Sequence, residues 1–165
     1  MKYSLLILIA FGFLVACDLS SGTDAANVAV VEKYIQAVES QDYETMASLL
    51  DDNYLGLGPS SIDSIGKEAA LLSWQENIAN LYEKIDYQRS QIAPVNILAG
   101  PNQGHWVANW AQLEITYKDD RGSVIIWANT NYKVENNKIV KSYTFYNEAD
   151  VLRQLGYVFI NPNDL

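Results

Sequence analysis

The chain has 165 residues, with 11 lysines and arginines against 20 aspartates and glutamates and a formal net charge of −9. That length supports one domain with a substantial core and leaves too little for two. The acidic balance, with no Lys/Arg cluster able to follow a phosphate backbone, excludes nucleic acid as a partner and reads as a device for solubility.

Lys2 supplies a positive start, Leu5 to Phe13 an apolar stretch too short to span a bilayer, and Ala16 the small residue that signal cleavage needs. Residues 1–16 therefore read as a signal peptide. Cys17, the only cysteine, ends the run Leu14-Val15-Ala16-Cys17, which resembles the bacterial lipobox. The resemblance implies cleavage before Cys17, diacylglycerol on its sulfur, palmitate-type chains, and a lipoprotein anchored to a membrane of the bacterial cell envelope. Each buried CH₂ contributes about 0.8 kcal/mol, so two or three long chains hold a protein lastingly without a transmembrane helix. The alternative is an ordinary secretory signal followed by a free thiol, an odd feature in an exported protein that lipidation removes. Asp18 to Asn27 is short, polar and rich in small residues, giving a lipidated tether over 17–27 and a domain over 28–165.

From Asn27 the apolar positions Val28, Val31, Ile35 and Val38, with Tyr34 beside them, recur at helical spacing and stop near Ser40. Asp42 can cap a second helix, with Glu44 in its first turn and Tyr43, Met46, Ala47 and Leu50 on one face, ended by Asp51, Asp52 and Asn53. Tyr54 to Leu57 forms a short strand, and Gly56 to Ser61 an irregular loop. A third helix runs from Gly66 to Glu83 on the repeat of Leu71, Trp74, Ile78 and Leu81. Beyond it the period changes to two, over Ile85 to Leu98, His105 to Lys118, Ser123 to Val134 and Lys138 to Asn147. The breaks are turn chemistry: Gly100 to Gly104, Asp119-Asp120-Arg121-Gly122 as a type I turn with a glycine bulge, and Glu135-Asn136-Asn137. A last helical turn covers Glu148 to Leu155, capped by Asn147 and stopped by Gly156.

Three stretches, VVEKYIQAVESQDYETMASLLDDNY at 30–54, SIGKEAALLSWQENI at 64–78 and NYKVENNKIVKSYTFYNEADV at 131–151, resemble the nuclear transport factor 2-like superfamily, with its SnoaL-type polyketide cyclases and ketosteroid isomerases. The resemblance implies an α+β fold in which a curved antiparallel sheet forms a cone closed by three N-terminal helices. It also implies a deep pocket and a tendency to dimerise through the outer sheet face.

Alternation along the strands assigns the pocket wall. With Ile126 facing in, Ala128, Thr130 and Tyr132 follow. Hairpin pairing then turns Asn109, Ala111, Leu113, Ile115 and Tyr117 inward, and the last strand adds Val140, Ser142, Thr144 and Tyr146. The expected cavity is apolar with a few neutral polar groups, suited to a small, largely apolar ligand. The candidate ligand-binding residues are Tyr34, Trp74, Asn109, Thr130, Tyr132, Ser142, Thr144 and Tyr146. The resemblance implies that Tyr34 stands where a matching tyrosine of ketosteroid isomerases donates to a developing oxyanion, with the Trp74 indole N–H in reach of its hydroxyl. Packing alone gives both residues an ordinary core role.

The chain departs from the isomerase pattern where that family places its acids: Gly58 stands before Pro59, and Thr130 stands on the sheet. A neutral tyrosine with a threonine is a poor substitute for a general base at pH 7. Glu114 has outward parity unless a bulge shifts it. His105 is the sole histidine and has no ligand motif around it, so neither a metal nor another cofactor is expected. Ser60-Ser61 sits in no nucleophile elbow. Trp106, Trp110 and Trp127 share outward parity and predict a homodimer through that face. A register shift would instead make Trp110 and Trp127 pocket walls. The sequence reads best as a noncatalytic or weakly catalytic binding lipoprotein; the alternatives are a cyclase or isomerase-type enzyme using Tyr34 as acid, and an interaction module working through the tryptophan face.

Overall fold

The computed structural model describes residues 22–164; the signal segment and Cys17 lie outside the described residues. Helix α1 covers 22–39, and its buried stripe is the expected one, with Val31, Tyr34, Ile35 and Val38 under 9% exposed. It starts earlier than the tether reading allows. Residues 22–27 are helical, Asn27 is buried, and the Asp24 carboxylate lies 3.4 Å from His105 Nδ1. These contacts draw the segment into the domain.

α1 ends where Gln41 takes a positive φ of 59° and the Asp42 N–H donates back to the Ala37 carbonyl at 2.8 Å, with Gln41 N–H to the Val38 carbonyl at 3.2 Å. This left-handed cap satisfies the last carbonyls and turns the chain at once into α2 (Tyr43–Leu49). Asp42 caps α2 as expected, accepting from Thr45 N–H at 3.0 Å and Thr45 Oγ1 at 2.6 Å. Strand β1 (Leu50–Leu57) follows directly, so Asp51 to Asn53 belong to a strand rather than to a helix end. A three-residue strand, β2 (Ser64–Gly66), pairs antiparallel with β1; it is too short for alternation to show. Helix α3 (Lys67–Asn80) stops before Tyr82 and Glu83, which open β3 (Tyr82–Ile97). Pairing wins there over helical period, since Tyr82 stands opposite Tyr117 and the Lys118 N–H donates to the Leu81 carbonyl.

Strands β4 (Gly104–Tyr117), β5 (Gly122–Glu135) and β6 (Lys138–Tyr146) and helix α4 (Glu148–Gln154) complete the chain, with a short 3₁₀ turn at Pro162–Asp164. The sheet order is β2-β1-β6-β5-β4-β3. The meander is antiparallel as expected, but β1 joins it parallel to β6. The turn between β4 and β5 differs from the expected type I: Asp119 and Asp120 both have positive φ, 59° and 56°, as do Asn136 and Asn137 in the next hairpin, 51° and 60°. Such left-handed pairs carry the twist that tight hairpins need, and Asp and Asn tolerate them best after glycine.

Bulges curl the sheet. Register shifts between Gln88 and Gln91, where Arg89 takes φ 48°, and again between Lys133 and Val134. The second one corrects the inward assignment of Val140: Val134 faces Ile139, the fully buried residue, and Val140 is displaced from the alternation. The curled sheet holds two apolar clusters. Under α1 and α2, Val31, Val38, Met46 and Leu50 pack on Val107, Tyr132 and Ile139. Toward the β4–β5 turn, Ile85, Leu113, Ile115, Val124 and Ile126 pack on Val151 of α4. Among the described residues no helix is long and apolar enough to cross a membrane.

Candidate functional site

Between the helices and the concave face of the sheet lies a cavity of about 880 Å³. Depth runs along the strands. Buried Tyr34, Asn109, Tyr132 and Ser142 form a closed end beneath α1. Exposed Ile62, Asp63, Tyr146, Glu148 and Tyr157 form a mouth between the β1–β2 loop and α4. All eight expected ligand-binding residues, Tyr34, Trp74, Asn109, Thr130, Tyr132, Ser142, Thr144 and Tyr146, line this one cavity.

The closed end is a set of neutral polar groups held in an aromatic frame. The rings of Tyr34 and Tyr132 meet edge to face with centroids 6.0 Å apart. Trp74 donates toward the Tyr34 hydroxyl, while burial, with Tyr54 and Tyr87 beside it, pushes that phenol far above the ordinary tyrosine range. Burial likewise raises Tyr132 well above that range and Tyr87 to about 12. Tyr34 is therefore a hydrogen-bond donor that keeps its proton at any physiological pH. Asn109 Nδ2 donates to Ser90 Oγ at 2.7 Å and to the Gln91 carbonyl at 3.3 Å, across the β3 bulge. The Thr130 and Thr144 hydroxyls lie 3.2 Å apart on neighbouring strands.

Tyr54, Tyr87 and the mouth carboxylates were not foreseen in the sequence. Tyr54 reaches the cavity through the parallel β1–β6 pairing, where its hydroxyl lies 2.7 Å from Ser142 Oγ. Its ring folds over Gly56, whose missing Cβ would stand 2.8 Å from the Tyr54 hydroxyl and 2.9 Å from the Ile65 Cγ2. Alternation on β3 could have found Tyr87, which stands opposite inward Leu113. At the mouth, Asp63 occupies the space a side chain at Gly58 would need, its Oδ2 2.7 Å from that Cβ position. Glu148, the first residue of α4, lies beside Tyr146 and, after burial, pushes that phenol upward. α4 is fixed there by Gln154, whose side-chain amide pairs with both backbone groups of Ile125 at 2.9 Å, taking the place of a strand neighbour.

Other expectations fall outside the cavity. Glu114 keeps its outward parity and accepts from Gln88 Nε2 at 2.6 Å. His105 pairs with Asp24 at the far end of β4 from the mouth. Trp110 and Trp127 lie on the outer face, 38% and 54% exposed, and are not pocket walls. Trp106 shares their parity but not their exposure. It is 4% exposed, donates its indole N–H to the Asn102 carbonyl at 2.8 Å and packs on Tyr143. The outer apolar patch is completed instead by Ile125 and Phe145.

A SnoaL-like domain family model matches residues 28–121. Among solved structures, IdmH, a candidate polyketide cyclase of Streptomyces antibioticus, superposes with a TM-score of 0.64 at 18% identity, over 79% of this chain and 99% of that one. A candidate polyketide cyclase of Xanthomonas campestris pv. campestris gives 0.64 at 12%, over 80% and 98%. An LEH-like epoxide hydrolase of M. tuberculosis gives 0.59 at 13%, over 81% and 91%. Identities this low carry the fold and not the chemistry. Comparison with curated proteins finds no match.

Proposed function

The chain belongs to the SnoaL-like domain family, and from that premise we propose that it is a binding protein whose cone holds one small, largely apolar molecule without efficient turnover. One observation carries the reading. The closed end presents only phenol, hydroxyl and amide groups, while the two carboxylates that line the cavity, Asp63 and Glu148, stand at its exposed mouth. Proton abstraction needs a base within hydrogen-bond reach of the reacting carbon, and a phenol held neutral as firmly as Tyr34 cannot serve as one. It serves as a donor that orients a carbonyl or hydroxyl of the ligand. Tyr34→Phe tests this. A neutral binding hydrogen bond contributes about 0.5–1.5 kcal/mol, a severalfold change in affinity, whereas loss of an oxyanion donor costs about 10²–10³ in rate.

A cyclase or isomerase-type enzyme is the second reading, and Glu148 favours it, because it is a carboxylate in the lining of the cavity whose charge acts on the Tyr146 phenol. A substrate long enough to touch Tyr34 and Glu148 at once would meet a donor at one end and a base at the other. Loss of turnover in Glu148→Gln by orders of magnitude, with binding retained, selects this reading over the first.

Two features concern where the domain works. Lipid on Cys17 would tether it to a bacterial envelope membrane; Cys17→Ser then releases it, and intact mass of a membrane fraction showing an unmodified thiol contradicts the anchor. The outer patch of Trp110, Ile125, Trp127 and Phe145 fits self-association of two copies. Trp127→Glu should then yield monomer in sedimentation, and a wild-type chain that is monomeric at high concentration contradicts it.

A further inference from the structure

Between the closed end and the mouth, aromatic rings line the cavity wall that leads to the Glu148 carboxylate. Tyr82 and Tyr117 meet edge to face with centroids 5.4 Å apart, Trp74 stands 6.5 Å from Tyr82, and all three rings line the cavity. Tyr146 adds a fourth ring, beside the same carboxylate. The same carboxylate acts on the other two phenols: after burial, it contributes to raising Tyr82 and to pushing Tyr117 up to about 12. Among the described residues no lysine, arginine or histidine lies within ion-pair distance of Glu148.

Arg121, the basic residue in the lining, shows that this wall accepts a cation, for its guanidinium sits 5.9 Å from the centre of the Tyr117 ring. It is held at the rim by other partners: Asp119 at 3.6 Å and the carbonyls of Lys118 and Asn80 at 3.1 and 3.2 Å. The Glu148 charge is left for something else. Ring faces are negative, phenol oxygens retain lone pairs, and the net charge of −9 concentrates cations around the domain. A divalent metal ion wants six or more oxygen ligands, most of them anionic or carbonyl, and among the described residues no group of three metal-ligating side chains gathers here, Glu148 and Asp63 being the carboxylates of the lining. An organic cation fits, because ring faces replace its weak hydration and a single carboxylate balances its charge.

We propose that the ligand of this cavity carries an organic ammonium group, held at the mouth by Glu148 and the rings of Trp74, Tyr82 and Tyr117, with its apolar body in the closed end. The proposal rests on the reading of the cone as a cavity for an apolar molecule and adds the charge of that molecule. Octylammonium and octanol are matched probes, differing in the head group, and their affinities are read by calorimetry on the whole domain. Octylammonium binds about tenfold tighter, and Glu148→Gln brings the two affinities within about twofold. Tyr82→Leu, which keeps an apolar side chain but removes the ring face, narrows the ratio in the same direction. Equal wild-type affinities overturn the ammonium proposal and leave the apolar cavity standing. A preference that survives both substitutions overturns its assignment to the mouth. If neither probe binds, the cavity reading beneath it falls as well.

Discussion

The two ends of the cavity are built by different means. The closed end is written into regular structure: Tyr34 comes from α1, and Asn109, Thr130, Tyr132, Ser142 and Thr144 from three neighbouring strands, so helix period and strand alternation place every one. Its polar groups are neutral, and Tyr34, Asn109, Tyr132 and Ser142 are buried. The mouth is assembled from segment ends: Asp63 from the β1–β2 loop, Arg121 from a hairpin turn and Glu148 from the start of α4. Its groups are charged and exposed. Rigid elements supply the shape of the site, and the connections between them supply its charge.

The comparison predicts that substitutions at the closed end cost stability and those at the mouth do not. Met46, a fully buried residue of α2 in the cluster beneath α1, is the largest case. Met46→Ala should cost about 2–5 kcal/mol in denaturant unfolding. Gly56→Ala follows at about 1–3 kcal/mol, because its Cβ would press on the Tyr54 hydroxyl and Ile65. Tyr54→Phe in the same chain should relieve part of that loss, and full additivity would show that the Tyr54 hydroxyl does not press on residue 56.

The buried phenols give a pH signature with a fixed sign. Tyr87 titrates near 10.0 when unfolded and near 12 when folded, through burial and then the Glu39 carboxylate. The folded state thus holds more protons between those values, so this contribution is fully present below pH 10 and is lost as pH rises through 12. The denaturation midpoint should be insensitive to pH near neutrality and should fall on the alkaline side; Tyr87→Phe should flatten that fall. Ser142→Ala, which leaves the Tyr54 hydroxyl without its partner, should cost about 0.5–1.5 kcal/mol. Glu148→Gln at the mouth should move stability by no more than about 0.5 kcal/mol.

What could be read from the sequence follows the same division. Period-two alternation from Ile126 placed Thr130 and Tyr132, and hairpin pairing carried it to Asn109, because these strands pair in sequence order. It failed at Val140, where a bulge between Lys133 and Val134 breaks the parity that the argument needs. It gave Trp106 the right face but not its burial, which comes from Asn102 and Tyr143. Tyr54 depends on a parallel pairing between the first and last strands, a contact no local pattern announces. Glu148 depends on how Gln154 pins α4 to Ile125. Strand parity is silent on both carboxylates, since Asp63 and Glu148 come from outside the strands.

The central claim is that the cavity itself is the binding site. Ala128 lines it from the middle of β5, so Ala128→Phe fills the space between closed end and mouth, while Trp127→Ser alters the outer face one residue away. Titration of a neutral apolar fluorophore such as Nile red into both variants, with thermal unfolding to show that each is folded, separates the two faces. The account predicts saturable one-site binding that Ala128→Phe abolishes and Trp127→Ser leaves intact. Binding that survives Ala128→Phe and disappears in Trp127→Ser would contradict it.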